Sequence, residues 1–429
     1  MQKYFSRLLK LSTFDLLLLV IYLGLFVYFI LQPAIYSPDT GTYWHLNVYR
    51  YPVYGLFLRT MEFVFKDFYN FSVVGFQLLF GFIASFIFLK KITQLLSLPR
   101  IAQFILFVLL VLPFFPPLEI GNNLTSEGLA YPLYLLLIVY GIDILFLNKK
   151  KQLLVLIPVF LALSLTRGQF IFFAPFLLFL YILKHRKMVF QRNHFIVFIT
   201  LLLLPLAANI MDSNYRKLVH GKYAATPFTF INALTLPLYI SDKEDISLFS
   251  DEDQKVIFTE TYKRIDSLGL LSHKVGGSVN DRYKVFHDNF PVICNQTFHA
   301  KSIAHYYNLN SDPVEACILA ETGAKKMFIP LMTHHFKEWI SIYFTSVIHG
   351  FKSIFIFLFF FLVMLYSGWK TLKSFNLYYG LLFLGSILIV SNAFITAFAV
   401  HTIIRYTFYN IGMGFIIVFL LSKKITSKL

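Results

Sequence analysis

Long apolar runs separated by short polar turns dominate the chain. Ten of them, at about 14–32, 72–89, 101–118, 128–147, 152–166, 169–183, 194–210, 341–365, 376–394 and 403–421, approach the ~20 residues that carry a helix across a bilayer. The fifth and sixth are short. The apolar stretches are continuous rather than alternating, so the pattern predicts an all-α polytopic membrane protein of about ten transmembrane helices. The first run, Phe14 to Leu31, is too long for a signal-peptide core and has no small-residue cleavage site behind it, which predicts a retained anchor.

Polar positions then set the orientation. Lys3, Arg7 and Lys10, Lys90, Lys91 and Arg100, Lys149 to Lys151, Lys184, Arg186, Lys187 and Arg192, Lys370 and Lys373, and Lys423, Lys424 and Lys428 all fall on one face if the ten runs span with both termini cytoplasmic. The opposite face carries residues 33–70, the turn 118–127, the long stretch 211–340 and the loop near 395–402. The organisation read from this is a transmembrane module over 1–210, an extracytoplasmic domain over 211–340 and C-terminal transmembrane helices over 341–429. The long stretch is mixed in charge. Phe258, Tyr262 and Ile265 recur at helical spacing and Gly276-Gly277 reads as a turn, so a small, mainly helical domain is expected there.

Composition narrows the class. The 429 residues are 57% hydrophobic and only 14% charged, with 51 Phe, which excludes a soluble or disordered chain. The net charge of +16 is spread over turns rather than gathered in a stripe with stacking aromatics, so it reports orientation and not nucleic-acid binding. The two cysteines, Cys294 and Cys317, both lie in the long outer stretch. A disulfide between them and two free buried thiols are the readings open to them.

Candidate chemistry gathers on the outer face. Ser37-Pro38-Asp39-Thr40-Gly41-Thr42-Tyr43-Trp44-His45 and Arg50-Tyr51-Pro52 follow the first run; a carboxylate and an arginine at a membrane surface have a desolvation cost that a functional role would offset. Glu119, Asn122, Asn123, Ser126 and Glu127 lie at the next outer turn, Arg167 and Gln169 at the third, His334, His335, Lys337 and Glu338 before the eighth run, and His401 and Arg405 before the tenth. Thr125 or Ser126 can cap the helix that Glu127 opens, and that capping role alone would explain Glu127. Arg167 and Arg405, at span ends, can snorkel or can hold a lipid-borne phosphate. A nearby carboxylate can deprotonate an acceptor hydroxyl. His334-His335 lacks metal-ligand spacing, because neighbours on a helix point to different sides. No Gly-rich phosphate loop, HExxH or nucleophile elbow occurs.

The order of these pieces resembles the GT-C superfamily of membrane glycosyltransferases, which includes protein O-mannosyltransferases and lipid A aminoarabinose transferases. The resemblance is carried by Ser37-Pro38-Asp39-Thr40 with Tyr43 and Arg50-Tyr51-Pro52-Val53-Tyr54, by Leu124-Thr125-Ser126-Glu127-Gly128-Leu129 with Leu165-Thr166-Arg167-Gly168-Gln169, and by His401-Thr402-Ile403-Ile404-Arg405-Tyr406. It covers residues 1 to about 210, and the end of the chain more weakly. It implies a GT-C-like fold and inverting transfer of a hexosyl or pentosyl group. The donor would be a polyprenyl-phosphate sugar and the acceptor an extracytoplasmic glycan, lipid or protein, as in cell-envelope glycan biosynthesis. By this analogy Asp39 is the general base, Arg167 and Arg405 contact the donor phosphate, and Tyr43, His45, Arg50, Glu127 and His401 contact substrate. Asp39 lacks the adjacent acid that many members carry, so no metal and no other cofactor is expected. A multi-pass protein of a bacterial inner membrane, active on the extracytoplasmic face, is the corresponding location. Two alternatives share parts of the pattern: a lipid-linked oligosaccharide polymerase or ligase, and a lipid flippase or transporter.

Overall fold

A computed structural model describes residues 12–426, and their regular structure is helical apart from one isolated β-bridge pairing Ile35 with Asn123. Lys3, Arg7, Lys10 and Lys428 lie outside the described residues. The described residues divide into two compact units, 12–47 with 51–204, and 48–50 with 205–426.

The first unit holds α1 (Thr13–Ile30), α2 (Thr40–Trp44), α3 (Pro52–Phe65), α4 (Tyr69–Leu96), α5 (Arg100–Val111), α6 (Glu127–Leu145), α7 (Leu153–Ser164) and α8 (Phe173–His185). It also holds the part of α9 (Arg192–His220) up to Leu204. Helix α6 is buried along nearly its whole length, and a helix apolar on all sides is one that other helices surround. Helix α1 keeps most of its apolar side chains on the surface, as a lipid-facing span does. Two carboxylates anchor the basic side. Asp15, in a capping box with Ser12 at the start of α1, lies 2.6 Å from Lys90 Nζ, and Asp143 lies 2.8 Å from Lys91 Nζ and 3.2 Å from Lys149 Nζ. Both aspartates are buried. Lysines that the charge pattern marks only as orientation signals are therefore also structural.

The second unit continues from Pro205 through α10 (Thr229–Ala233), α11 (Thr235–Tyr239), α12 (Glu252–Ser267), α13 (Val279–Pro291), α14 (Ala300–Asn310), α15 (Pro313–His334) and α16 (Phe336–Gly350). It ends in α17 (Ile354–Lys373), α18 (Leu377–Ala399), α19 (Ile404–Thr407) and α20 (Ile411–Thr426). The long stretch 211–340 is mainly helical, as the spacing of its apolar residues predicts. Asp251 caps α12, which buries Phe258 and Ile265, and Gly277 takes φ +90° ahead of the Ser278 capping box of α13. One apolar core joins these helices to α16 and to Val390, Ala393 and Ala397 of α18.

Eight helical stretches among the described residues are long and apolar enough to cross a membrane, three of them, Pro52–Leu96, Gly168–Phe190 and Ile404–Lys424, joining consecutive helical segments. Together they define an integral, multi-pass helical membrane protein. Two of the ten runs fall short of that length: Arg100–Phe114 and the 12-residue α7. The run expected at 341–365 is two helices. Helix α16 ends at Gly350, Lys352 adopts φ +59°, and Ser353 Oγ accepts from Phe355 N to start α17. The apolar content of Phe344, Val347 and Ile348 hides this break from a hydropathy reading. Helix α3 was expected as loop; Pro52 at its first turn starts it.

Of the two readings open to the cysteines, the structure shows free thiols. Cys294 and Cys317 are free and buried, Cys294 Sγ facing Asn232 Oδ1 at 3.3 Å and Cys317 Sγ lying 3.9 Å from His299 Nε2. Each thiol has its own partner, and burial pushes their pKa values up to about 12 and about 11.

Candidate functional site

In the first unit, three stretches distant in sequence form one hydrogen-bonded assembly. The loop after α1 is pinned by backbone pairing, Ile35 N to Asn122 O at 2.8 Å and Leu124 N to Ile35 O at 3.0 Å. Asn122 Nδ2 donates to Phe29 O at 2.9 Å, closing the end of α1. Gln77, wholly buried on α4, donates through Nε2 to Gly121 O and Asn123 O at 3.0 and 3.2 Å and accepts from Tyr54 OH at 2.9 Å. The carbonyls of residues 121–123 are thus satisfied by the Gln77 side chain and the Ile35 backbone, as a buried irregular segment in a membrane protein must be.

On this base sits α2. Thr40 Oγ1 donates to Leu124 O at 3.0 Å, and buried Tyr43 donates from its hydroxyl to Ser126 Oγ at 3.1 Å. Arg167 reaches the same serine, Nη1 to Ser126 Oγ at 3.2 Å, and pairs with buried Glu127 at 2.5 Å; its Nη2 lies 3.4 Å from Gln169 Oε1. Tyr43, Glu127 and Arg167 are therefore brought together. Asp39 stands at the N-cap position of α2, half-buried, with a carboxylate that does not cap the helix. His45 is exposed and packs edge-on against Trp44.

Two local expectations change. Ser126 occupies the N-cap position of α6 yet makes no side-chain cap; its oxygen accepts from Tyr43 and Arg167 instead. Arg167 does not stand as an isolated cation, since Glu127 answers its charge. The pair clamps the turn at 118–127 to the turn at 165–169.

Close approach makes Gly55 a checkpoint for the assembly. A Cβ there would sit 2.6 Å from the backbone oxygen of Tyr43, which cannot swing aside as a side chain can. Gly55→Ala is expected to push α2 off α3 and lower the apparent Tm in detergent by several degrees, measured by tryptophan-independent thermal shift alongside the Gly24→Ala control, where nothing crowds the added methyl.

Arg50, His401 and Arg405 belong to the second unit. There Tyr49 stacks on Phe228, and Arg50 O accepts from Arg216 Nη2 at 2.5 Å. Arg216 is fully buried with Asp212 and Thr226. His401 gathers with His287 and His349. The rings of His287 and His349 lie 4.6 Å apart, those of His287 and His401 4.8 Å, and Phe290 packs against His401 at 4.5 Å with the rings tilted by 37°. Tyr283 OH meets His287 Nδ1 at 3.2 Å, and His349 Nδ1 donates to Thr402 O at 3.2 Å. His349 and Thr402 also line a pocket of about 290 Å³ with Lys352, Asn392, Ile404 and Asn410. Nothing in the spacing of His287 and His349 along the chain marks them as partners of His401; only the fold does.

Burial, then the neighbouring imidazoles, push His401 down to about 3, and burial lowers His287 and His349 too. A histidine depressed in the folded state takes up a proton on unfolding, so stability is fully present above the unfolded value near 6.5 and falls as pH drops from there toward 3. Thermal shift from pH 7.5 to 4.5 is expected to show a falling Tm, and His401→Phe, which keeps the ring contact with Phe290, to flatten that fall. A slope equal to wild type would remove His401 as its source.

His334 and His335 do not share one helix. Helix α15 ends at His334, and His335 has φ −103° and ψ 29°, so both rings turn toward Asp245.

The site and fold belong to a polytopic helical membrane protein with a polar assembly joining three of its turns. Comparison of the chain with protein-family models, with curated proteins and with solved structures gives no match.

Proposed function

We propose that this chain is an integral-membrane glycosyltransferase similar to the GT-C superfamily. On this reading ten segments span a bacterial inner membrane, both termini are cytoplasmic and the polar assembly faces the extracytoplasmic side. A polyprenyl-phosphate sugar supplies the donor, and an outer-face glycan, lipid or protein accepts it. Asp39 takes the proton of the acceptor hydroxyl as that oxygen attacks the anomeric carbon, the bond to phosphate breaks, and the configuration inverts. Arg405 offsets the charge of the departing phosphate. Arg167, oriented by Glu127, contacts the donor phosphate as well.

The observation that carries the reading is the convergence, in the first unit, of Thr40 and Tyr43 beside Asp39 with Leu124, Ser126, Glu127 and Arg167. Three turns far apart in sequence have no reason of hydropathy to share buried hydrogen bonds.

The test is transfer by purified protein in lipid, with a panel of radiolabelled polyprenyl-phosphate sugars and host lipid and glycan extracts. Labelled product from at least one donor is expected. No transfer from any donor, together with lipid scrambling in vesicles, would replace the reading with a flippase. The cluster of His287, His349 and His401 favours a second reading, a lipid-linked oligosaccharide polymerase or ligase. That reading requires transfer of preassembled oligosaccharide and independence from Asp39.

A further inference from the structure

We propose that Asp245, His334 and His335 bind one divalent transition-metal ion of the zinc class, a site separate from the transfer chemistry above. All three residues belong to the second unit. Asp245 lies on the short 3-10 helix Lys243–Leu248, and its carboxylate is 2% exposed. The two histidines come from the break between α15 and α16.

The geometry is that of a ligand set. His335 Nε2 lies 2.7 Å from Asp245 Oδ2, and His334 Nε2 lies 3.6 Å from Oδ1. One nitrogen from each ring and a carboxylate oxygen fall within 4.8 Å of one another. Tetrahedral zinc with bonds of about 2.0–2.1 Å holds its ligand atoms about 3.4 Å apart, so small rotations of the rings close the set. A hydrogen bond from His335 accounts for one imidazole. It leaves the second ring aimed at the other oxygen of the same carboxylate, beyond hydrogen-bond length.

The surroundings fit the same assignment. Asp242 N donates to Asp245 Oδ2 at 2.8 Å, which fixes the carboxylate as outer-shell contacts do for metal ligands. Neighbouring Asp242 and Glu244 add negative charge to that turn. His334 is 56% exposed, which gives the ion an entry path and leaves a position for water. Two nitrogens and one oxygen suit zinc better than magnesium or calcium, which take oxygen ligands. The bound ion would tie the turn 243–248 to the start of α16.

The experiment uses the full chain in lipid nanodiscs with any affinity tag removed, stripped with chelator and titrated with zinc alone at pH 7.5. Bound zinc is counted by elemental mass spectrometry and affinity is measured by calorimetry. One zinc per chain and a raised Tm are expected. His334→Ala, at an exposed position, and His335→Gln, which can still donate to Asp245, are expected to bind at least about tenfold more weakly while keeping the zinc-free Tm of wild type. Substoichiometric zinc on wild type, or unchanged affinity in both variants, overturns the proposal. Transfer activity is not the readout, so failure here leaves the glycosyltransferase reading untouched.

Discussion

Asp39→Asn protein is expected to insert and fold as wild type does and to lose about 10²- to 10⁴-fold in transfer rate, the range a positioned general base contributes. The substitution keeps size and removes charge. Folding should survive it because the loop is held by its neighbours: Thr40 to Leu124, Tyr43 to Ser126, and the backbone pair between Ile35 and residues 122–124. The carboxylate makes no cap on α2 that an amide would weaken. Rates measured under saturating donor, with Tm recorded on the same preparation, separate chemistry from stability. Full activity in the Asn variant would remove Asp39 from the mechanism and turn attention to the histidines of the second unit.

Asp212→Ala is expected to be the most destabilising single change in the second unit, costing about 3–5 kcal/mol, as breaking one half of a buried ion pair does. Arg216 is 0% exposed and Asp212 3%. The arginine lies 3.5 Å from Asp212 Oδ1 and also donates to Thr226 and to Arg50 O, while Asp212 Oδ2 accepts from Thr226 N at 2.6 Å. Removing the carboxylate leaves a guanidinium in a dry site and an amide without its acceptor. On the scale of ~2–4 °C per kcal/mol for units of this size, the apparent Tm should fall by roughly 10 °C. The double variant Asp212→Leu with Arg216→Met should recover much of that loss, because the cost is the stranded charge rather than the missing pair. A double variant no better than the single one would mean that the contacts to Thr226 and Arg50 dominate.

What the sequence discloses here depends on the range of the interaction. Hydropathy locates most spans, because burial in lipid demands continuous apolar residues. It misses the break at Gly350, since the long apolar runs beyond His349 on one side and Ser353 on the other keep the average hydropathy high across it. The pattern Phe258, Tyr262, Ile265 marks α12 correctly because amphipathicity is local. Asp39, Tyr43, Glu127 and Arg167 are legible as polar residues at span ends, yet the pairing of Arg167 with Glu127 is not, for nothing in the spacing of 40 residues selects it. The same holds for His287 and His349. His334-His335 misleads for the opposite reason: helical geometry is assumed across a pair that ends a helix.

Lys90 and Lys91 serve the protein at two different times. While the chain is being threaded into the bilayer, α1, α4 and α6 have not met, so each lysine acts as a bare positive charge that resists translocation. Once the helices pack, Asp15 and Asp143 take up that charge. On the proposed topology, orientation would be set by residues whose charge is paired once the helices pack, so a count of net charge on the finished surface would understate that signal. Exchanging Asp15 for a neutral residue would leave the threading decision intact and surface only afterwards, as a defect in assembly.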